Sequence, residues 1–248
     1  MTASADMVDV IVDELNELNL PCMAAALDGL YHSERFLEAD AATLISEIVD
    51  AEYQKKAAKR LVYRLQKAKL SGCPQELNSC TDSKEREYMP YGITQTLSSL
   101  DFIRSGLSVC ILGPSDCGKT YFAKALGIDA CRCFKVCYHH CETFLEEMVA
   151  LKQKNFAGYQ KKMRRNVNLD LLILDDFLLH TITDEREVKI LFELLEKRSE
   201  LQRSTIVCSQ REPKSWASMM MNDEVSSNAI MKRATKHYTV MISPKESN

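Results

Sequence analysis

The first seventy residues carry hydrophobic positions at the spacing of helices. Apolar residues predict helices over 7–18, 21–33 and 39–52, with Asp40 in position to cap the third. A further helix is predicted over 53–70, because apolar and charged residues fall on separate faces there. Its apolar face is formed by Ala57, Leu61, Leu65 and Ala68.

The pattern changes after this helical region, which we place at residues 1–72. Residues 73–92 are polar, contain two prolines and show no periodicity, so they predict a linker. Residues 93–248 alternate short apolar runs with helical stretches, which predicts an α/β domain with a parallel sheet flanked by helices. The predicted strands cover 107–112, 134–139, 169–174, 204–209 and 238–242.

A glycine-rich loop follows the first of these strands and opens a helix. Gly113, Gly118, Lys119 and Thr120 fit the phosphate-loop spacing G-x-x-x-x-G-K-[ST]. The glycines let backbone N–H groups curve around phosphate oxygens, with the positive end of the helix behind them. Lys119 would contact the β- and γ-phosphates, and the Thr120 hydroxyl would ligate Mg²⁺. The predicted nucleotide-binding residues are Gly113, Pro114, Ser115, Asp116, Cys117, Gly118, Lys119 and Thr120.

A pair of acids ends the third predicted strand, in "LDLLILDDF". The four apolar residues 171–174 predict a buried strand, and Asp175 and Asp176 follow at its carboxyl end, where sites lie in parallel sheets. Asp175 would hold Mg²⁺ through water, and Asp176 would orient and polarise an attacking water. The two motifs together predict binding of ATP, in preference to GTP, with Mg²⁺.

Composition narrows the setting of this chemistry. The chain has 248 residues, enough for one large domain or a compact domain with a small accessory one. Its start lacks the features of a signal peptide and no run is long enough to cross a membrane, so we expect a cytoplasmic protein without membrane partners. The ten cysteines are then expected to be free thiols.

The charges are distributed unevenly along the N-terminal region. Residues 1–52 carry twelve acids and one arginine, whereas 53–70 carry seven lysines or arginines and no acid. The basic face of this last helix is either solvated or a surface for the phosphates of nucleic acid. The candidate DNA-binding residues are Lys56, Arg60, Arg64 and Lys67.

Two further stretches carry candidate chemistry. Residues 151–165 contain six basic residues with Phe156 and Tyr159 between them, a mixture typical of nucleic-acid contact or of a solvated face. Residues 131–141 contain four cysteines and two histidines. Their spacing does not fit paired zinc-binding C-x-x-C motifs, so buried thiols are the favoured interpretation.

Several motifs in order give a family resemblance. They are "LNELNLPCMAAAL", "LISEIVDAEYQKKAAKRLVYRLQKAKL", the phosphate loop with its flanks, "STIVCSQREPKSW" and "AIMKRATKHYTVMI". From about residue 13 to the C-terminus, the chain resembles the IstB-like ATP-binding proteins. These are AAA+ helpers encoded beside the transposase in one class of bacterial insertion sequences. The resemblance implies an AAA+ P-loop NTPase domain over 93–248 and a DNA- or partner-binding role for 1–72.

The resemblance also implies roles for single residues. Gln210, with Ser209 beside it, would be the sensor of the γ-phosphate. Arg233 would be an arginine finger that reaches the ATP of a neighbouring subunit, which requires a homo-oligomer. Two departures stand out, since Lys232 occupies a position where the family usually has Asp and the chain ends in "SPKESN" without the family's second sensor arginine. Slow hydrolysis is a hypothesis that follows from this.

The implied function is ATP-dependent binding of duplex DNA by an oligomeric ATPase that recruits or activates a cognate transposase. One alternative is a DnaC-type replicative helicase loader, which would prefer single-stranded DNA. Another is an interaction module that binds ATP with little hydrolysis, and the missing sensor arginine keeps that alternative open. A P-loop kinase is disfavoured, because no arginine-rich lid is evident.

Overall fold

The computed structural model describes residues 2–83, 86–221 and 223–244. The chain forms two compact units, residues 1–63 and residues 64–248. The sequence places its boundary nearby, at residue 72, whereas the structure divides inside a helix. The C-terminal segment 243–248 differs from the usual ending of the family, and its residues 245–248 lie outside the described residues.

The first unit is helical, as predicted. It contains α1 (Thr2–Glu17), α2 (Pro21–Tyr31), α3 (Arg35–Glu38) and the larger part of α4 (Ala41–Ala68). The predicted cap is confirmed, because the Asp40 carboxylate accepts hydrogen bonds from the backbone N–H groups of Ala42 and Thr43 at 2.9 and 3.1 Å. The helices predicted over 39–52 and 53–70 are one continuous helix, since no glycine or proline separates them.

The second unit holds a sheet of six strands in the described part of the chain. Its strand order is β1-β6-β2-β5-β4-β3, and all neighbouring pairs are parallel except β1 with β6. The strands are β1 (Arg86–Met89), β2 (Val109–Leu112), β3 (Val136–His140), β4 (Leu171–Asp175), β5 (Ser204–Ser209) and β6 (Tyr238–Pro244). The helices are α5 (Ile93–Ser98), α6 (Asp101–Arg104), α7 (Lys119–Ala130), α8 (Cys141–Lys154), α9 (Phe156–Val167), α10 (Glu185–Glu200), α11 (Trp216–Met219) and α12 (Glu224–Thr235).

Alternate side chains of each strand point to opposite faces of the sheet, and helices cover the apolar side chains on both faces. In β4, Leu172 and Leu174 belong to a buried cluster with apolar residues of α8, α9, α10 and α12. Ile173 faces the other way, where its side chain meets Gly127 of α7. The α/β architecture expected from the sequence is therefore confirmed, and it brings the carboxyl ends of β2, β5 and β4 to one edge.

The structure departs from the predicted elements at the ends of the sheet. Residues 73–92, interpreted as a linker, contain a 3-10 turn over Leu77–Ser79 and the edge strand β1. This strand was missed because its four residues are mostly polar and half exposed, and its pairing with β6 comes from the far end of the chain. Strands β2, β3 and β4 each begin two residues later than predicted.

Within the described residues, none of the helices is both long and apolar enough to cross a membrane. All ten cysteines fall in the described part of the chain and are free thiols. In the cysteine-rich stretch, Cys131, Cys137 and Cys141 are buried and Cys133 is exposed. No group of three or more potential metal ligands comes together among the residues that the structure describes.

Candidate functional site

The predicted phosphate loop connects β2 to α7, and its two glycines are required by close contacts. Gly113 has a φ of +154°, and a side chain there would collide with the carbonyl oxygen of Ile242 and the Cys117 sulfur. Gly118 has a φ of +98°, and a Cβ atom would lie 2.8 Å from the guanidinium carbon of Arg86. Both positions therefore need a residue without a side chain.

Lys119 lies inside the loop as a buried cation. Its side chain belongs to a residue that is only 6% exposed, and its ammonium donates to the Pro114 carbonyl at 2.5 Å. The Cys117 sulfur is 3.9 Å away. No carboxylate among the described residues pairs with this ammonium. A buried charge held by neutral groups is a site that favours an anion.

Asp175 is the buried acid at the end of β4. It is 1% exposed, and its carboxylate accepts a hydrogen bond from the Tyr138 hydroxyl at 2.6 Å and one from the Asp176 N–H at 3.1 Å. Burial, and next the hydrogen bond to Asp175, raise the pKa of Tyr138 far above its usual range. The phenol therefore stays protonated and fixes the orientation of the carboxylate.

Asp176 leaves the sheet in the left-handed region, with a φ of +49°. Its carboxylate lies 2.7 Å from the Nε2 atom of His140, the last residue of β3. Aspartate tolerates this backbone conformation better than most residues do. The turn directs the Asp176 carboxylate to His140, whereas the Asp175 carboxylate stays inside the sheet edge.

The sheet brings the loop and Asp175 to the same edge, with β5 between them. Leu112 pairs with Ser209, and Leu174 pairs with Val207, so β2 and β4 end at similar heights on either side of β5. The Cys208 thiol lies between the two motifs, where burial and next the Asp175 charge raise its pKa. The thiol beside Asp175 therefore stays neutral, and no cation among the described residues forms an ion pair with that carboxylate.

Gln210, the predicted sensor of the γ-phosphate, is more exposed than expected. A sensor amide is expected to be buried, whereas Gln210 is exposed and the preceding Ser209 is buried. The Ser209 hydroxyl donates to the Phe177 carbonyl at 2.8 Å and accepts from the Arg211 N–H at 3.1 Å. Ser209 thus connects the end of β5 to the turn that follows Asp176. Gln210 is exposed because the strand ends at the surface just before it.

Arg233 lies near the end of α12, away from the phosphate loop. Its guanidinium donates to the Glu196 carboxylate at 2.9 Å and to the Ala229 carbonyl at 3.0 Å. It lines a cavity of about 160 Å³ together with Ser108 and Thr205, which lie at the amino ends of β2 and β5. Arg233 therefore occupies the sheet edge opposite to the phosphate loop of its own chain.

The sequence profile of the family described as "IstB-like ATP binding protein" matches residues 13–248. The chain belongs to this family. It is 30% identical over 213 residues to a protein of Pseudomonas fluorescens named for the insertion sequence IS1162 and for ATP binding, covering 82% of this chain and 87% of that one. A relative from Mycobacterium tuberculosis, named for ATP binding in an insertion sequence, is 25% identical over 232 residues and covers 93% and 90%.

Solved structures show the same fold. A DnaC helicase loader superposes with a TM-score of 0.53 at 15% identity, over 68% of this chain and 97% of that chain. The replication initiator DnaA, solved with AMPPCP and single-stranded DNA, gives 0.55 at 20% identity, over 69% of this chain and half of DnaA. The second unit of this IstB-like protein therefore has the AAA+ P-loop fold that the resemblance implied.

The candidate DNA-binding residues of α4 in this IstB-like protein differ in their surroundings. Lys56 and Arg60 are exposed; Lys56 lies 3.6 Å from Glu52, and Arg60 lies over the Tyr53 ring at 5.8 Å. Lys67 is exposed as well. Arg64 instead donates to the carbonyls of Cys131 and Arg132 at 3.3 and 2.6 Å, at the C-terminal end of α7. These contacts give Arg64 a role in capping that helix.

The basic and aromatic stretch 151–165 forms the end of α8 and most of α9. Phe156 is 56% exposed and stacks on the Tyr159 ring, with centroids 6.0 Å apart and planes 19° apart. Lys152 lies over the same Tyr159 ring at 5.1 Å. These residues line a groove of about 380 Å³, together with Gln160 and Arg164. An exposed aromatic ring among cations suits stacking against a base or packing against a protein.

Three residues of the site, Tyr138, His140 and Arg86, lie outside the sequence motifs. Tyr138 and His140 lie in β3 and reach the acids only because β3 pairs with β4, where His140 is opposite Asp175. Arg86 lies in the unpredicted strand β1. The one available signal was the position of Tyr138 and His140 at the end of a predicted strand, which in a parallel sheet faces the site.

Proposed function

We propose that this IstB-like protein is an ATP-hydrolysing, DNA-binding helper of an insertion-sequence transposase. The observation that carries the proposal is that the buried Lys119, which has no described carboxylate partner, and the buried Asp175 lie at the carboxyl ends of β2 and β4, on either side of β5. A cation for phosphates and an anion for a metal then lie at the same edge of the sheet.

The donor set fits ATP with Mg²⁺. Backbone N–H groups of residues 115–119 and the Lys119 ammonium would bind the phosphates. The ammonium contacts only neutral groups, the Pro114 carbonyl and the Cys117 sulfur, which a phosphate oxygen could replace. Thr120 at the start of α7 and Asp175 offer the hydroxyl and carboxylate oxygens that Mg²⁺ prefers. When bound, the metal would neutralise charge on the phosphates.

Asp176 would orient and polarise the attacking water. Its carboxylate lies against His140, so it would have to exchange this partner for the water. Gln210, exposed beside the loop, would contact the γ-phosphate or that water from the end of β5. Under these assignments, two side chains from neighbouring strand ends would act on one reacting group.

The arginine finger would act between subunits of a homo-oligomer. Arg233 lies at the far sheet edge and pairs with Glu196, so in its own chain it has no route to the loop. A neighbouring subunit would offer its γ-phosphate in place of the Glu196 carboxylate. Lys232 beside it is exposed and would add positive charge to the same surface.

Two exposed surfaces support DNA binding, one in each unit. The first unit presents Lys56 and Arg60, and the second presents the α8–α9 groove with Phe156 and Lys152. Cations that contact phosphates bind without sequence preference, and an exposed ring adds stacking. The insertion-sequence names of the relatives favour duplex DNA and a cognate transposase as partners.

The test is fluorescence anisotropy with labelled duplex and single-stranded DNA, with and without ATP–Mg²⁺. The variant Lys119→Ala removes the phosphate cation, and Lys135→Ala removes an exposed lysine at the opposite edge of the sheet as the matched control. We expect the anisotropy to show duplex binding that requires ATP. In a separate assay of ATP turnover, we expect a loss of about a hundredfold in Lys119→Ala and none in Lys135→Ala.

Each other outcome has a distinct meaning. Preference for single-stranded DNA would replace the proposal with a DnaC-type loader. Nucleotide binding without turnover or DNA binding would leave an ATP-binding interaction module. Full turnover in Lys119→Ala would contradict the nucleotide site itself.

A further inference from the structure

Arg86 is a cation of the edge strand β1 that lies against the phosphate loop. Strand β1 pairs antiparallel with β6, with Arg86 opposite Pro244. Tyr88, two residues on, is buried on the same side of the strand and packs edge-on against Phe122 of α7, with ring centroids 5.4 Å apart. The strand is thereby held beside α7, and Arg86 projects toward the start of that helix.

The Arg86 guanidinium covers the backbone of Gly118. A Cβ atom on Gly118 would lie 2.8 Å from both the Cζ and Nη1 atoms of Arg86 and 3.2 Å from Nε. The plane of the guanidinium therefore rests on the residue that caps the N-terminus of α7. This contact brings the guanidinium beside the phosphate loop.

The charges around Arg86 favour an anion. The N-terminus of α7 carries partial positive charge, and Lys119 adds a full charge one residue further on. No described carboxylate lies within ion-pair distance of the Arg86 guanidinium. Three positive groups without a neutralising acid among the described residues repel one another until a negative ligand lies between them.

The order of the strands indicates which part of a nucleotide Arg86 would meet. Asp175 ends β4, two strands to one side of β2, so the metal and the γ-phosphate belong on that side. Strands β6 and β1 lie on the other side of β2. A triphosphate bound in the loop would therefore have its γ-phosphate on the side of β4 and its α-phosphate and nucleoside on the side of β6 and β1.

We propose that Arg86 is a nucleotide-binding residue that contacts the α- and β-phosphates in the same subunit. This inference rests on the proposed nucleotide site and adds to it a cation from outside the phosphate-loop motif. Since ATP and ADP share these two phosphates, Arg86 would bind both nucleotides equally well. Lys119, Thr120 and Asp175 would instead discriminate ATP through the γ-phosphate and the metal.

The experiment is calorimetric titration of the full-length protein with ADP and with ATP–Mg²⁺. Arg86→Met removes the charge and keeps much of the side-chain length, and Arg86→Lys keeps the charge without the fork of donors. Arg104→Met is the control, because Arg104 is exposed and pairs with Asp101. It precedes β2 at the amino ends of the strands, opposite to the phosphate loop. We expect Arg86→Met to weaken ADP and ATP alike by about tenfold, with Arg86→Lys between it and the wild type.

The melting temperature of each nucleotide-free variant separates binding from a structural role. An unchanged melting temperature with weakened ADP binding supports the inference. Wild-type ADP affinity in Arg86→Met, or a weakening confined to ATP, would overturn it, as would a loss of affinity in proportion to lost stability in both Arg86 variants. If the wild type itself bound neither nucleotide, the proposed function would fail; wild-type behaviour of Arg86→Met alone leaves that function intact.

Discussion

His139 is a buried histidine whose neighbours fix its protonation state. Its Nε2 atom lies 2.9 Å from the Asn166 side-chain oxygen, and its Nδ1 atom lies 3.3 Å from the Lys69 ammonium. An ammonium can only donate, so Nδ1 is the acceptor and Nε2 carries the proton. Burial, followed by the Lys69 charge, lowers the pKa of His139 to about 4.

This lowered pKa predicts acid sensitivity of the second unit. Between pH 6.5 and about 4 the unfolded chain protonates this imidazole and the folded chain does not, so stability falls as the pH falls through that window. The difference is worth up to about 3 kcal/mol. We expect His139→Gln to show a smaller loss of unfolding free energy between pH 6.5 and 4.5 than the wild type.

Urea unfolding followed by Trp216 fluorescence makes the measurement. Trp216 is the single tryptophan of the chain and is fully buried in the second unit, so its emission reports on that unit. His32→Gln, at an exposed site in the first unit, is the control. Equal pH dependence in His139→Gln and the wild type would show that another group titrates.

At the residue scale, the parts of the site that lie close in sequence were predictable and the rest were not. The loop from Gly113 to Thr120 and the pair Asp175 and Asp176 each follow one strand, so local spacing identifies them. Arg86 reaches Gly118 only through the pairing of β1 with β6. That pairing joins residues more than 150 positions apart, and no local pattern marks it.

Arg198 joins two elements of the second unit, α10 and the C-terminal end of α9. It is 1% exposed and donates to the carbonyls of Asn166, Val167 and Leu169 at 2.6, 3.2 and 3.0 Å. The same guanidinium donates to the Thr205 hydroxyl at 2.9 Å, at the start of β5. A cation at a helix C-terminus satisfies carbonyls that have no partner within the helix.

Removing this guanidinium is expected to destabilise the second unit strongly. Arg198→Met keeps an apolar stem but leaves four buried carbonyls, those of Asn166, Val167, Leu169 and Ser204, without this donor, which costs about 3 kcal/mol or more. Lys197→Met, one residue earlier and exposed, removes the same charge and should cost less than about 1 kcal/mol. Urea midpoints from Trp216 fluorescence compare the two variants, and equal midpoints would contradict the bridging role of Arg198.

At the element scale, the pattern of the sequence located most helices and strands but not their continuity or their edges. The apolar runs of β2, β4 and β5 are buried on both faces, so they stand out without knowledge of their neighbours. The edge strand β1 is stabilised by a single neighbour and carries polar residues. An edge strand of this kind has no hydrophobic signature, because one of its faces is turned to solvent.

At the scale of the whole molecule, the two charges expected to act on one phosphate lie at opposite edges of the sheet. Lys119 follows the carboxyl end of β2, and Arg233 lines the cavity at the amino ends of β2 and β5. Under the proposed function, one subunit would therefore carry half of each of two reaction sites. A complete site would then form only where the loop of one subunit meets the finger of another.

Mixing two inactive variants tests this arrangement. Lys119→Ala subunits keep the finger and lose the nucleotide, whereas Arg233→Ala subunits keep the nucleotide and lose the finger. Each variant alone should lose ATP turnover by about a hundredfold or more, and an equimolar mixture should regain a substantial part of it, because mixed interfaces combine an intact loop with an intact finger. Lys189→Ala, an exposed lysine of α10, is the control that should keep full turnover. Unchanged turnover in Arg233→Ala would remove this residue from the reaction, and a mixture as inactive as its components would show that Arg233 does not act across subunits.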